Sequence, residues 1–397
     1  MPRILALAAV FALSAALAAC TRAPPRSRAE AEASPPIDAA ALDRSVDPCD
    51  DFYQFACGGW IARTEIPPDR SSWHRGFAVI REQNLQELRE ILEAAAGGRL
   101  ASDPFADKLG AFWTSCMDEA AVEARGLEEL RAEWARVDAV QDRAALAGAL
   151  ARLHAAGIFD PLRMFAGQDP KDATQVVLTI SQGGLTLPDR DYYLSDQGKN
   201  PEIRRELSDH LRRMLGLAAV PPGQVEAQAS GVERIERAIA ASHFTRTEMR
   251  DPLRTNNRVD RSGLEKLAPD VPWARLFDDL GHPDLVAVKV TTPRFVEEVG
   301  RLFAGAPLDD WKAYLRWHLL AGMAEARALP RAFVDERFRF QSKAFTGAKE
   351  LLPRWKHCVD ATDEALGFAL GRIYVRLHFG PEGKERTTRL VDEIEKA

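Results

Sequence analysis

Asp47-Pro48-Cys49-Asp50-Asp51-Phe52-Tyr53-Gln54-Phe55-Ala56-Cys57-Gly58-Gly59-Trp60 reads as a short helix at the head of a helical body, with two cysteines on it. Residues eight apart on a helix lie about 12 Å from each other, beyond disulfide reach while the helix stays formed. Cys49 and Cys57 therefore need other partners. Downstream the apolar spacing stays helical. Phe77, Ile80, Leu88, Ile91 and Leu92 form one stripe, ended by Gly97-Gly98. Phe105, Leu109, Phe112 and Cys116 form a second, with Pro104 at a first-turn position. Thr292-Pro293 starts another helix, and Trp311, Leu315, Leu319 and Met323 recur at four-residue steps. From Gln175 to Ser181 the pattern changes: Val176, Leu178 and Ile180 alternate with Val177 and Thr179, which predicts a strand. Residues 159–166 are expected to pair with it across the turn Gly167-Gln168-Asp169-Pro170, and Val286 to Thr291 is a weaker strand signal. The expected fold is mainly α, a multi-helix lobe with one small β-hairpin.

Upstream the composition shifts. Residues 20–45 hold Pro24-Pro25 and Pro35-Pro36 among Ala, Ser, Arg and Glu, with almost nothing apolar. Such a segment cannot bury enough surface to offset its ordering entropy, so it reads as a flexible tether. Residues 1–19 read as a lipoprotein signal peptide, with Arg3 ahead of an apolar run from Ile4 to Ala16. That run is shorter than the roughly 20 residues of a membrane span. Leu17-Ala18-Ala19-Cys20 resembles a bacterial lipobox, which makes the Cys20 thiol the lipidation site. Thr21, where an aspartate would mark inner-membrane retention, implies an exported chain anchored to the outer membrane on its periplasmic or cell-surface side. The 397-residue chain as a whole is 46% hydrophobic and 28% charged, values that suit a globular protein and not a disordered one. Its net charge of −6 is too mild for a nucleic-acid partner.

The chemistry-bearing residues are informative mainly by their spacing. Apart from Cys20, Cys49, Cys57, Cys116 and Cys358 remain, and four cysteines allow three pairings. The 8 histidines include no H-E-x-x-H pair; the nearest two, His357 and His378, are 21 positions apart. No G-x-S-x-G is present either. His74, His318 and His357 read as surface or core histidines, not metal ligands. Asp189 and Asp191 read as parts of a turn, and Trp311, Tyr314 and Trp317 as helix-spaced core aromatics.

The segment from Asp47 to Trp60 then acquires company. Ile66-Pro67, Ser71-Ser72-Trp73 with Arg81, Ser115-Cys116-Met117-Asp118 and Leu187-Pro188-Asp189-Arg190-Asp191-Tyr192-Tyr193 follow it in order. Pro353-Arg354-Trp355-Lys356-His357-Cys358 and Gly371-Arg372-Ile373-Tyr374-Val375 complete the series. Together these resemble the signatures of neprilysin-like zinc endopeptidases, and the resemblance covers residues 46–397. It implies the N-terminal, non-catalytic lobe of a two-lobed chamber. The complete enzyme of that family cuts small peptides on the amino side of apolar residues, with zinc held by H-E-x-x-H and a later carboxylate. None of that ligand set is in this chain, so no catalytic residue, metal ligand or cofactor is expected here, and the catalytic half is the expected partner.

The resemblance also assigns individual residues. It makes Arg81 a substrate-binding residue for the carboxylate end of a peptide. A second family arginine falls at Trp73, which leaves Arg75 as a substitute candidate. It pairs Cys116 with Cys358 and sends Cys49 and Cys57 to cysteines of the catalytic half. Phe52, Tyr53, Phe55 and Trp60 would face that half. A helical pattern through Leu390 and Ile394 continues to Glu395-Lys396-Ala397 without a C-cap, which reads as the first half of a longer enzyme. The alternatives are a non-catalytic surface lipoprotein that binds peptides or proteins, and a truncated gene product.

Overall fold

A computed structural model describes residues 38–158 and 161–396. The expected signal peptide, the expected lipidation site Cys20 and the expected tether up to residue 37 lie outside the described residues. The fold is mainly α with one small sheet. The chain divides into two compact units: one holds the chain through Ile66 together with Phe368–Ala397, the other Pro67–Gly367. Among the described residues no helix is long and apolar enough to cross a membrane.

In the first unit, helix α1 (Phe52–Arg63) starts where the Asp51 carboxylate accepts a hydrogen bond from Gln54 N at 2.8 Å, an N-cap that satisfies one of the helix's unpaired donors. Cys49 lies ahead of the helix, in a turn where Asp47 Oδ1 accepts from its amide. The expected single helix carrying both cysteines is therefore corrected: only Cys57 is helical, because the Asp51 cap fixes the start. Gly58-Gly59 has a steric reason. A Cβ at Gly59 would sit 2.5 Å from the Ala40 carbonyl and 2.7 Å from that of Leu42, so only glycine lets the incoming chain cross α1 this closely.

The second unit carries the core. Its first helices are α2 (Phe77–Ala96) and α3 (Ala106–Met117), which pack on each other. The α2 stripe is only half buried: Leu85, Ile91, Leu92 and Ala95 are inside, whereas Phe77 is 89% and Ile80 53% exposed. On α3 the buried aromatic is Trp113, one position on from Phe112, because Ala106, Leu109, Gly110 and Trp113 make the face that meets α2.

Strands β1 (Leu162–Asp169) and β2 (Asp172–Gln182) form the expected hairpin, but its turn is Pro170-Lys171. Asp169 Oδ1 accepts from Lys171 N at 2.9 Å and closes that two-residue loop, while Gly167 stays in the strand opposite Val177. The hairpin is half of a four-stranded sheet. Helices α4 (Asn200–Leu217) and α5 (Pro222–Ser242) precede β3 (Asn257–Asp260) and β4 (Ala287–Val290). The strand order is β1-β2-β4-β3, with β2 and β4 parallel and β4 and β3 antiparallel.

Helix α6 (Pro293–Gly305) leads into α7 (Leu308–Glu325), which is largely enclosed: Trp311, Tyr314, Leu315, Trp317, Leu319 and Leu320 are each at most 1% exposed. One narrow polar strip, Asp309, Lys312 and Arg316, reaches the surface, and the wide apolar remainder places the helix in the core. The unit closes with α8 (Arg331–Gln341) and most of α9 (Arg354–Tyr374). α9 departs from helical geometry at Leu366 (φ −133°, ψ 24°), and beyond it the first unit resumes with the rest of α9 and with α10 (Gly380–Lys396).

Candidate functional site

Sequence-predicted residues of the second unit gather around the start of α9, where it meets α2 and α3. The five side chains from Arg354 to Cys358 each make a specific contact, two of them with Cys116. Arg354 Nε donates to the Cys116 carbonyl at 2.7 Å, placing a cation at the C-terminal end of α3, where carbonyl oxygens lack partners. Trp355 lies under the Arg89 guanidinium of α2, 4.9 Å from its ring centre. Lys356, 7% exposed, bridges Asp69 Oδ2 at 3.1 Å and Glu82 Oε2 at 2.9 Å. His357 Nε2 donates to the Ala326 carbonyl at 3.2 Å, and burial, then the nearby Arg327, lowers its pKa. Cys358 forms a disulfide with Cys116 across a Cα–Cα distance of 5.7 Å and a sequence separation of 242.

Arg81 stands at the open end of the contact between α2 and α9. Its Nη2 donates to both Asp360 oxygens, at 3.1 and 3.2 Å, and the two side chains are 59% and 43% exposed. Arg75 is exposed in the turn that leads into α2. Phe77 lies one helical turn before Arg81, so the two share a face with Ile80 beside them. Arg81 and Arg75 are thus brought to one end of α2, with exposed apolar side chains between them. Asp360 could not be found from sequence spacing, since 279 positions separate it from Arg81.

Other candidates are structural. Asp189 Oδ1 accepts from Asp191 N at 2.8 Å, a turn as expected, and Arg246 pairs with Asp189. Two residues on, Tyr193 anchors the segment in the core: its hydroxyl donates to Glu236 Oε2 at 2.5 Å and accepts from Leu187 N at 2.9 Å. Burial, then the Glu236 carboxylate, holds this phenol well above the usual tyrosine range. Thr186 donates to the other Glu236 oxygen at 2.6 Å, and His318 Nε2 lies 3.2 Å from it. Glu236 is 1% exposed and its two oxygens are held by Thr186 and Tyr193, a buried post under this segment.

Cys49 and Cys57 belong to the first unit and carry no disulfide; the former is exposed, the latter half-buried. Among the described residues, no three His, Cys, Asp or Glu side chains converge as metal ligands would.

The profile of the peptidase family M13 N-terminal domain matches residues 48–397. Endothelin-converting enzyme 1 of Rattus norvegicus is 27% identical over 423 residues, covering 98% of this chain and 53% of that protein. Endothelin-converting enzyme-like 1 of Mus musculus is 29% identical over 395 residues, covering 95% and 49%. Among solved structures, the Mycobacterium tuberculosis zinc metalloprotease Zmp1 with an inhibitor superposes with a TM-score of 0.82 at 29% identity, over 91% of this chain and 54% of that one. PepO from Lactobacillus rhamnosis, at 19% identity and a TM-score of 0.72, shares the fold. The chain spans about half the length of the relatives it matches.

Proposed function

The chain belongs to peptidase family M13, and we propose that it forms the non-catalytic, chamber-forming lobe of a neprilysin-like zinc metalloendopeptidase acting on small peptides. Zinc and the general base are then supplied by a catalytic half outside these residues, and Arg81, with Arg75 beside it, faces the peptide. Cys49 and Cys57 await cysteines of that half. Cys20 anchors the whole to the outer membrane by its lipid.

The observation that carries this reading is the surface of the first unit. Its buried hydrophobic residues, among those described, are Ala41, Leu370 and Ile373. Against these, Phe52, Tyr53, Ile66, Phe368, Leu390 and Ile394 are each more than half exposed, with Phe368 at 102%. Phe55 and Trp60 are half-buried. So much apolar surface in so small a unit marks a contact surface. Since the relatives carry a further half of comparable length, that half is its natural cover.

The test is addition of a catalytic half in trans. We expect the chain alone to bind no stoichiometric zinc, cleave no peptide and bind a hydrophobic dye. With its partner, dye binding falls, the melting temperature rises and peptide hydrolysis appears. Stoichiometric zinc with chelator-sensitive hydrolysis by the chain alone overturns the proposal. The stand-alone lipoprotein reading draws on the closed core of the second unit. A monodisperse, dye-silent chain melting above roughly 65 °C, the top of the usual mesophile range, would favour it.

A further inference from the structure

We propose that Asp360 is a specificity-determining residue, which holds Arg81 and thereby weakens the hold on peptides that end in a free carboxylate. This rests on the reading above that the α2 end bearing Arg81 faces peptide. The structural case begins with an ion pair that has no need to exist for folding. Lys356 and Trp355 already tie α9 to α2, and the Cys116–Cys358 disulfide ties α9 to α3. The Arg81–Asp360 pair lies outside those ties with both heads in solvent, where an ion pair contributes little to stability.

Its geometry is also incomplete. Both contacts come from the single nitrogen Nη2, whereas an arginine grips a carboxylate most firmly with two parallel N–H bonds from two nitrogens. One turn away Phe77 is 89% exposed, and Ile80 is 53% exposed. An apolar ledge beside a guanidinium suits the last residue of a peptide, with its side chain on Phe77 and its carboxylate at Arg81. Such a carboxylate must either displace Asp360, leaving that charge unpaired, or lie next to it against like-charge repulsion. A C-terminal amide carries no charge and meets neither obstacle. Asp360 therefore narrows the preference for a free C-terminus that Arg81 alone would give.

The experiment measures binding of a fluorescein-labelled pentapeptide ending in phenylalanine, as free acid and as C-terminal amide, by fluorescence polarisation. The proteins are the full chain and its Asp360→Asn, Asp360→Ala, Arg81→Gln and Arg81→Gln/Asp360→Asn variants, with melting curves as a folding control. Both Asp360 variants should bind the free acid roughly two- to fivefold more tightly, the range an exposed pair permits. The amide affinity should stay unchanged, and the double variant should lose the gain. If Arg81→Gln weakens the acid while neither Asp360 variant strengthens it, the role of Asp360 is refuted and the peptide-facing reading stands. If Arg81→Gln has no effect in either background, or no protein binds either peptide, the peptide-facing reading falls and takes the proposal with it. Equal gains for acid and amide also refute it.

Discussion

Replacing Lys356 by methionine keeps an unbranched chain of similar length and removes the cation shared by Asp69 and Glu82. Asp69 is 8% exposed and would be left as a buried carboxylate without its partner. Breaking such a pair from one side costs about 3–5 kcal/mol. Glu82, 29% exposed, keeps access to water, so the loss should lie near the lower end and be read as a fall in the urea midpoint. Replacing Asp69 by asparagine together with Lys356 should recover much of it. His243 makes a second prediction at this scale. Its Nε2 donates to the Gly183 carbonyl at 3.1 Å, its ring meets Phe295 edge-on, and burial lowers its pKa to about 4. The folded state thus favours the neutral ring, while the unfolded chain takes up a proton near pH 6.5. Stability is full above pH 6.5 and declines as the pH falls towards 4, by up to roughly 3 kcal/mol. Urea midpoints measured from pH 7 to 4 should show a shallower decline in His243→Gln. Neither role was legible in the sequence. Lys356 sat inside a recognised segment, but its two carboxylates come from elsewhere in the chain, and His243 lacks any local pattern that announces burial.

The element that most tests sequence reasoning is the sheet. Alternation found β2, where Ile180 is buried but Val176 is 71% exposed, and a weaker signal found β4, which buries Val288 and Val290 on one face. β3 is Asn257-Arg258-Val259-Asp260, and its strand character comes from pairing with β4, a tertiary effect without a local signature. The hairpin turn moved by two residues because an aspartate side chain, not Gly167, closes the loop. On α2 the periodicity placed Phe77 and Ile80 inside, yet a stripe reports which residues share a face and not what covers it. α3 and α9 contribute the Cys116–Cys358 bridge, which the resemblance had assigned. The Cys116→Ser/Cys358→Ser variant should lose stability by up to about 5 kcal/mol, the chain-entropy figure for so long a loop, less any structure left in the unfolded state. Thermal melts should show the same loss on adding reductant to the wild type and no further loss in the variant. Non-reducing peptide mapping that returned Cys49–Cys57 or Cys57–Cys116 as the main species would contradict the bridge.

For the whole molecule, the helical class and the family were readable from ordered short segments, and the division after Ile66 and after Gly367 was not. Apolar spacing cannot show that residues 52–66 and 368–396 share a unit, since they are brought together by the fold. The proposed anchor is tested at this scale: Cys20→Ala should move the protein from the membrane fraction to the soluble or unprocessed pool, because lipidation requires the thiol. Unchanged membrane recovery would remove the anchor from the proposal. If the chain is held by its N-terminal end while force is applied beyond residue 358, the bridge becomes a mechanical shunt. Tension passes from Cys116 to Cys358 through two sulfur atoms, and the residues between them bear none of it. With 242 positions in the loop, about 850 Å of contour at roughly 3.5 Å per residue stays out of reach of a pulling force. In a force–extension trace that length should appear only after reduction, so the enclosed core responds to a reductant and not to a pull.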